Sequence, residues 1–106
     1  MSTYRTIGEV EEDYLRHHPD EMESYLRVLF DEYARDGDTP SLLASLRTVG
    51  RVMGVSRLAD AAGLSRKGLQ KALSEGGNPY FESVNAILHA MGYCLVPQKL
   101  ADNPRS

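Results

Sequence analysis

The side chains with the clearest chemical potential lie in one short stretch, residues 58–73, LADAAGLSRKGLQKAL. Arg66, Lys67, Gln70 and Lys71 recur at helical spacing, interleaved with Leu69, Ala72 and Leu73. Guanidinium forks match guanine edges, carboxamides match adenine, and ammonium groups are point contacts for phosphate, so this set suits a helix lying in a DNA major groove. Arg66, Lys67 and Gln70 occupy the first turns of that helix and are expected to read bases. Ser56, Arg57, Ser65 and Lys71 are better placed for phosphate, aided by outward backbone N–H groups where helices begin at Ser56 and Ser65. Asn78, before Pro79, and Tyr80 are candidates to grip the DNA backbone from the following loop. The competing explanation is a generic helical hairpin with a solvated basic face. Arg47 and Arg51, one turn apart, either extend the basic face or are simply solvated.

Catalysis and metal chemistry find no comparable set. His17 and His18 are adjacent and therefore point to different helical faces, while His89 has no Asp or Cys at ligand spacing. Cys94 stands in an apolar run without a neighbouring cation to lower its pKa, so it is expected to be a buried structural thiol. Gly76-Gly77 reads as a turn and not as a phosphate loop. No enzyme, metal or cofactor is expected.

Positioning the basic residues requires two short helices crossing steeply. Ala59 supplies the small residue at the crossing, Gly63 the left-handed turn and Leu64 the plug, while Ser56 and Ser65 are expected to cap the two helices. Gly68, inside the second helix, costs about 1 kcal/mol relative to Ala. Either a close backbone approach requires it or a short helix tolerates it. Elsewhere residues 20–36 carry one apolar stripe between Pro19 and Gly37. Residues 39–53 carry another, with Thr39 as N-cap, and 81–91 form a further helix closed by Gly92. Residues 93–96, apolar and stopped by Pro97, fit a β-strand or extended arm that pairs across a dimer.

These elements predict an all-α domain over residues 19–97, an acidic, partly ordered arm over 1–18 and a flexible tail over 98–106. The 106 residues carry a net charge of -3, which argues against nucleic acid until it is resolved along the chain. Residues 1–38 hold four basic against eleven acidic side chains, a net -7, and residues 39–106 hold eight against four, a net +4. This split is either a working pair of surfaces or the patchiness common to protein surfaces. One cysteine excludes a disulfide framework, and no segment has the character of a signal peptide or membrane span. A cytoplasmic protein with no membrane partner is expected.

The run AAGLSRKGLQKALSEGGNPYFESVNAILHAMGYCLV resembles the core of small Xre-type, lambda-repressor-like regulators, the HigA-like addiction-module antidote proteins. That family typically shows A-G-L-S-R-x-x-L-Y-K-A-L, then G-N-P, an aromatic residue, a helix ending in A-L-G and a short strand. The likeness is strong over residues 55–96, and the helices from 20 to 54 fit the layout; residues 1–18 add little. Gln70 stands where the family commonly has Tyr, so a contact made by that ring does not carry over. The resemblance implies a five-helix lambda-repressor-like helix-turn-helix domain with a short C-terminal β-strand. It further implies a homodimer on a palindromic double-stranded operator in its own promoter, acting as an autorepressor and as the antitoxin of a type II system. The implied partner is a small basic RelE- or ParE-like toxin. The acidic N-terminal third would complement such a partner through the outer face of helix 20–36 and the arm 1–18. The alternative is a regulator of phage or plasmid origin with no toxin.

Overall fold

Six α-helices follow one another in the computed structural model, which describes residues 6–100, through short turns and one longer loop over residues 73–80. They are α1 (Ile7–His17), α2 (Met22–Asp36), α3 (Thr39–Met53), α4 (Val55–Ala62), α5 (Arg66–Ala72) and α6 (Phe81–Met91), with a 3-10 turn at Pro19–Glu21. The all-α class holds, with one helix more than expected and no strand among the described residues.

The additional helix is α1, formed by residues expected to belong to an arm. Thr6 opens it with a reciprocal cap: its hydroxyl accepts from the Glu9 N–H at 3.0 Å, and the Glu9 carboxylate accepts from the Thr6 N–H at 3.0 Å. Leu15 anchors α1 in the core, and α1 packs along α3. Glu12 joins the two helices by accepting from Arg51 at 2.8 Å and from Arg16 at 2.6 Å, while Arg16 also donates to the Arg51 carbonyl at 3.2 Å. The Arg51 hydrogen bond, then that of Arg16, holds the Glu12 pKa below its ordinary value. Helix α2 is tied to α1 by the Tyr25 hydroxyl, which donates to Glu11 at 3.0 Å. Burial, reinforced by that carboxylate and opposed by Ser45, pushes the Tyr25 pKa up to about 12.

Helix starts differ from expectation at two places. Asp38, not Thr39, caps α3, accepting from the Ser41 N–H at 3.1 Å. Ser56 lies inside the first turn of α4, whose cap residue is Gly54. Leu43, Leu46 and Val49 of α3 join Leu58 and Ala59 of α4 in one core with Leu69, Ile87 and Leu88. Helix α4 packs on α3, α5 and α6, and so joins α5 to the helices on its other sides.

Residues 93–100 form neither strand nor helix. A ladder needs a neighbouring strand, and the described residues offer none. The period of two survives nonetheless: Tyr93 and Leu95 turn inward against the core, whereas Cys94 and Val96 face solvent. Cys94 is thus an exposed free thiol and not the buried one expected. Of the tail expected over 98–106, residues 101–106 lie outside the described residues. Among the described residues no helix is long and apolar enough to cross a membrane.

Candidate nucleic-acid interface

The junction between α4 and α5 is built by three residues. Gly63 takes the left-handed conformation (φ 73°) that a side chain would disfavour, and its N–H donates to the Asp60 carbonyl at 3.1 Å. The Leu64 N–H reaches back to the Ala59 carbonyl at 2.9 Å, so the end of α4 is closed by the chain that leaves it. Ser65 then caps α5, accepting from the Gly68 N–H at 2.9 Å. Ala59, Leu69 and Leu73 are buried at this junction. With that face turned inward, Arg66, Lys67, Gln70 and Lys71 are all left exposed.

Gly68 has a local reason that neither reading of the sequence contained. A Cβ at this position would sit 3.0 Å from the Ser65 hydroxyl oxygen, tighter than ordinary contact. The glycine leaves room for the cap of its own helix.

Two of the assigned residues, ten positions apart, meet directly: Arg66 donates to the Ser56 hydroxyl at 2.8 Å. The Ser56 and Ser65 hydroxyls each accept one bond and keep their O–H free to donate. Arg66 and Gln70 line a groove of about 250 Å3 between α3 and α5, whose wall also includes Arg47 and Arg51. Lys71, Asn78 and Tyr80 line a different cleft of about 500 Å3, between the end of α5 and the start of α6. Arg57 is not brought to either. It borders a third cleft with Met53 of α3 and Ala90 of α6.

The arginines of α3 take roles that sequence spacing did not offer. Arg47 is half-buried and donates to the Leu73 carbonyl, holding the C-terminal end of α5. Arg51 is neutralised by Glu12, 39 residues away. Neither is a free member of the basic face. Residues missed by sequence reasoning are Phe81, which is 75% exposed beside the 81% exposed Tyr80, and Ser83, which lines the Lys71 cleft. The only sequence signal for Phe81 was its place next to that tyrosine. The loop approaches α5 closely because residue 77 has no side chain: a Cβ on Gly77 would lie 2.8 Å from the Ser74 carbonyl oxygen and 3.0 Å from that of Ala72.

A family model described as probable addiction module antidote protein matches residues 10–98, from α1 through the segment that follows α6. The chain belongs to this antidote family. It is also 33% identical over 69 residues to an uncharacterized protein of Haemophilus influenzae (strain Rd), an overlap of 65% of this chain and 71% of that protein. No solved structure matches. The antidote family match spans all six helices in whole or part, so the residues at the α4–α5 junction and the basic face beyond it lie within the shared region. It is the antidote part of the resemblance, rather than its Xre or HigA part, that this match supplies.

Proposed function

We propose that this antidote is the antitoxin of a type II toxin–antitoxin system and a sequence-specific autorepressor, in which α4, the Gly63 turn and α5 act as a helix-turn-helix. The observation that carries the reading is the outward face of α5. Four polar or cationic side chains, three of them positively charged, project from a helix whose other face is buried and whose start and end are pinned by Ser65 and Arg47. A major groove selects such a rigid cationic helix. Arg66, Lys67 and Gln70 read bases. Ser56, Ser65 and Lys71 hold phosphate, and Asn78 with Tyr80 adds backbone contacts from the α6 side; Arg57 reaches phosphate only where the duplex backbone passes the α3–α6 cleft.

The protein works in the cytoplasm as a homodimer on a palindromic operator, with the exposed Val96 and Leu100 near the two-fold contact. Its toxin is a basic RelE- or ParE-like protein, for which the net -7 of residues 1–38 is a complementary surface. Footprinting of the DNA upstream of its own gene, at two salt concentrations, tests the operator reading. The expected result is a symmetric protected site whose affinity falls steeply with salt. Absence of any protected site would sink the repressor reading. Co-expression with the neighbouring gene tests the antitoxin reading, which fails if that gene product does not arrest growth or if this protein does not relieve the arrest.

A further inference from the structure

Helix α1 carries an apolar ridge that the core does not use. Ile7, Val10 and Tyr14, at i, i+3 and i+7, are 79%, 51% and 47% exposed, while Leu15 on another face of the helix makes the core contact. The ridge runs about 10 Å along the helix axis. We propose that α1 presents Ile7, Val10 and Tyr14 as a docking ridge for an apolar groove rimmed by basic side chains on the partner protein that this antidote opposes.

The occupant follows from charge. Besides Glu12, whose charge is paired with Arg16 and Arg51, helix α1 bears Glu9, Glu11 and Asp13, and residues 1–38 as a whole hold eleven acidic against four basic side chains. A second copy meeting the ridge through its own α1 would bring two acidic surfaces together, which disfavours self-association there. A groove that is apolar within and basic at its edge satisfies both the ridge and its flanks, which is the helix-in-groove mode of recognition. The outer face of α2, expected from the sequence to be the contact, compares poorly. Val28, 52% exposed, is the one large apolar side chain of α2 among the exposed ones, so that face offers charge without a set of anchors.

The ridge is also preorganised. The Thr6–Glu9 cap fixes the start of α1, and the Arg51–Glu12 pair holds it to α3. The Tyr14 ring is stacked on His18 with centroids 4.1 Å apart and planes 18° from parallel. A rigid aromatic anchor on a folded helix loses little entropy on binding, in contrast to a disordered arm that must be ordered first.

This inference rests on the antidote reading, and its test separates the two. The probe is the purified product of the neighbouring gene, titrated onto full-length wild type, Val10→Glu, Tyr14→Ala and the double variant, with circular dichroism of each free protein. Because both positions are exposed, the variants are expected to keep the wild-type fold. Affinity for the partner should fall roughly 30-fold or more in the double variant, the loss expected of central interface anchors, while operator binding is unchanged. Wild-type affinity in both single variants and the double variant would overturn the ridge and leave the antidote reading intact. Failure of wild type itself to bind the neighbouring product would overturn both. Should the double variant lose helicity, the decision passes to the single variants: tight binding by both refutes the proposal, and a loss in either folded single variant supports it.

Discussion

A double-mutant cycle at Ser65 and Gly68 tests the account of how the basic face is held. Ser65→Ala removes an N-cap whose hydroxyl accepts from the Gly68 N–H at 2.9 Å, a loss of about 1 kcal/mol. Gly68→Ala in isolation should gain about 1 kcal/mol of helix propensity. The new Cβ would stand 3.0 Å from the same hydroxyl oxygen, however, so cap and methyl compete for one space and the net change in wild type should be near zero. Once Ser65 is Ala that oxygen is gone, and the propensity gain should return in full. The two substitutions are therefore expected to be coupled by about 1 kcal/mol, inside the usual range for residues in contact. Urea denaturation of the four proteins, with a common slope, measures the coupling. Additive changes would show that the cap yields to the methyl without cost, and the local explanation of Gly68 would be wrong. The same four proteins can be titrated with operator. Lost affinity in the double variant relative to Ser65→Ala would then assign Gly68 a second part, close approach to DNA.

Arg66→Ala should weaken operator binding by about 1–3 kcal/mol and relax preference at one base pair, whereas Lys71→Ala should weaken all sequences alike and reduce the salt slope by about one; gel shifts on specific and scrambled duplexes distinguish them. Tight operator binding by Arg66→Ala would remove it from the readout set. Glu12→Gln should cost about 1 kcal/mol at neutral pH by releasing Arg51 and Arg16. Because the folded-state pKa of Glu12 is depressed, its contribution is present above the ordinary value of 4.5 and disappears as pH falls through the lower folded value. Acid titrations of wild-type and Glu12→Gln stability should therefore converge at low pH, and parallel curves would contradict the pairing. Deleting residues 93–106 should shift the proposed dimer towards monomer in sedimentation velocity, and an unaltered dimer would locate its interface elsewhere.

Much of the fold could be read locally because its determinants are local. The stripes of α2, α3 and α6 repeat at helical period, and Gly37, Gly63 and Gly92 end their helices in the left-handed region. Ser65 lies directly before the residues it caps. Helix α1 is poorly legible in the sequence for the opposite reason: its apolar residues are split between a single core anchor, Leu15, and the outward ridge, so periodicity is weak. Its stability comes from a cap and from a carboxylate shared with α3. The segment 93–96 has strand-like alternation, but alternation only states which residues face inward; a ladder also requires a neighbour.

By itself the sequence determined the helical class, the turn at Gly63, the position of a basic helix and the division of charge at residue 38. Each of these depends on residue type at short separation, where backbone geometry dictates the outcome. The tertiary structure alone decided which cations are available. Arg47 is committed to the Leu73 carbonyl, Arg51 is neutralised by Glu12, and Arg66 rests on Ser56. Those pairings join positions 26, 39 and 10 residues apart. They exist because packing of the helices brings distant side chains within reach, and a charge count along the chain contains no information about that approach. The same packing turned Leu15 inward and left Ile7, Val10 and Tyr14 facing solvent.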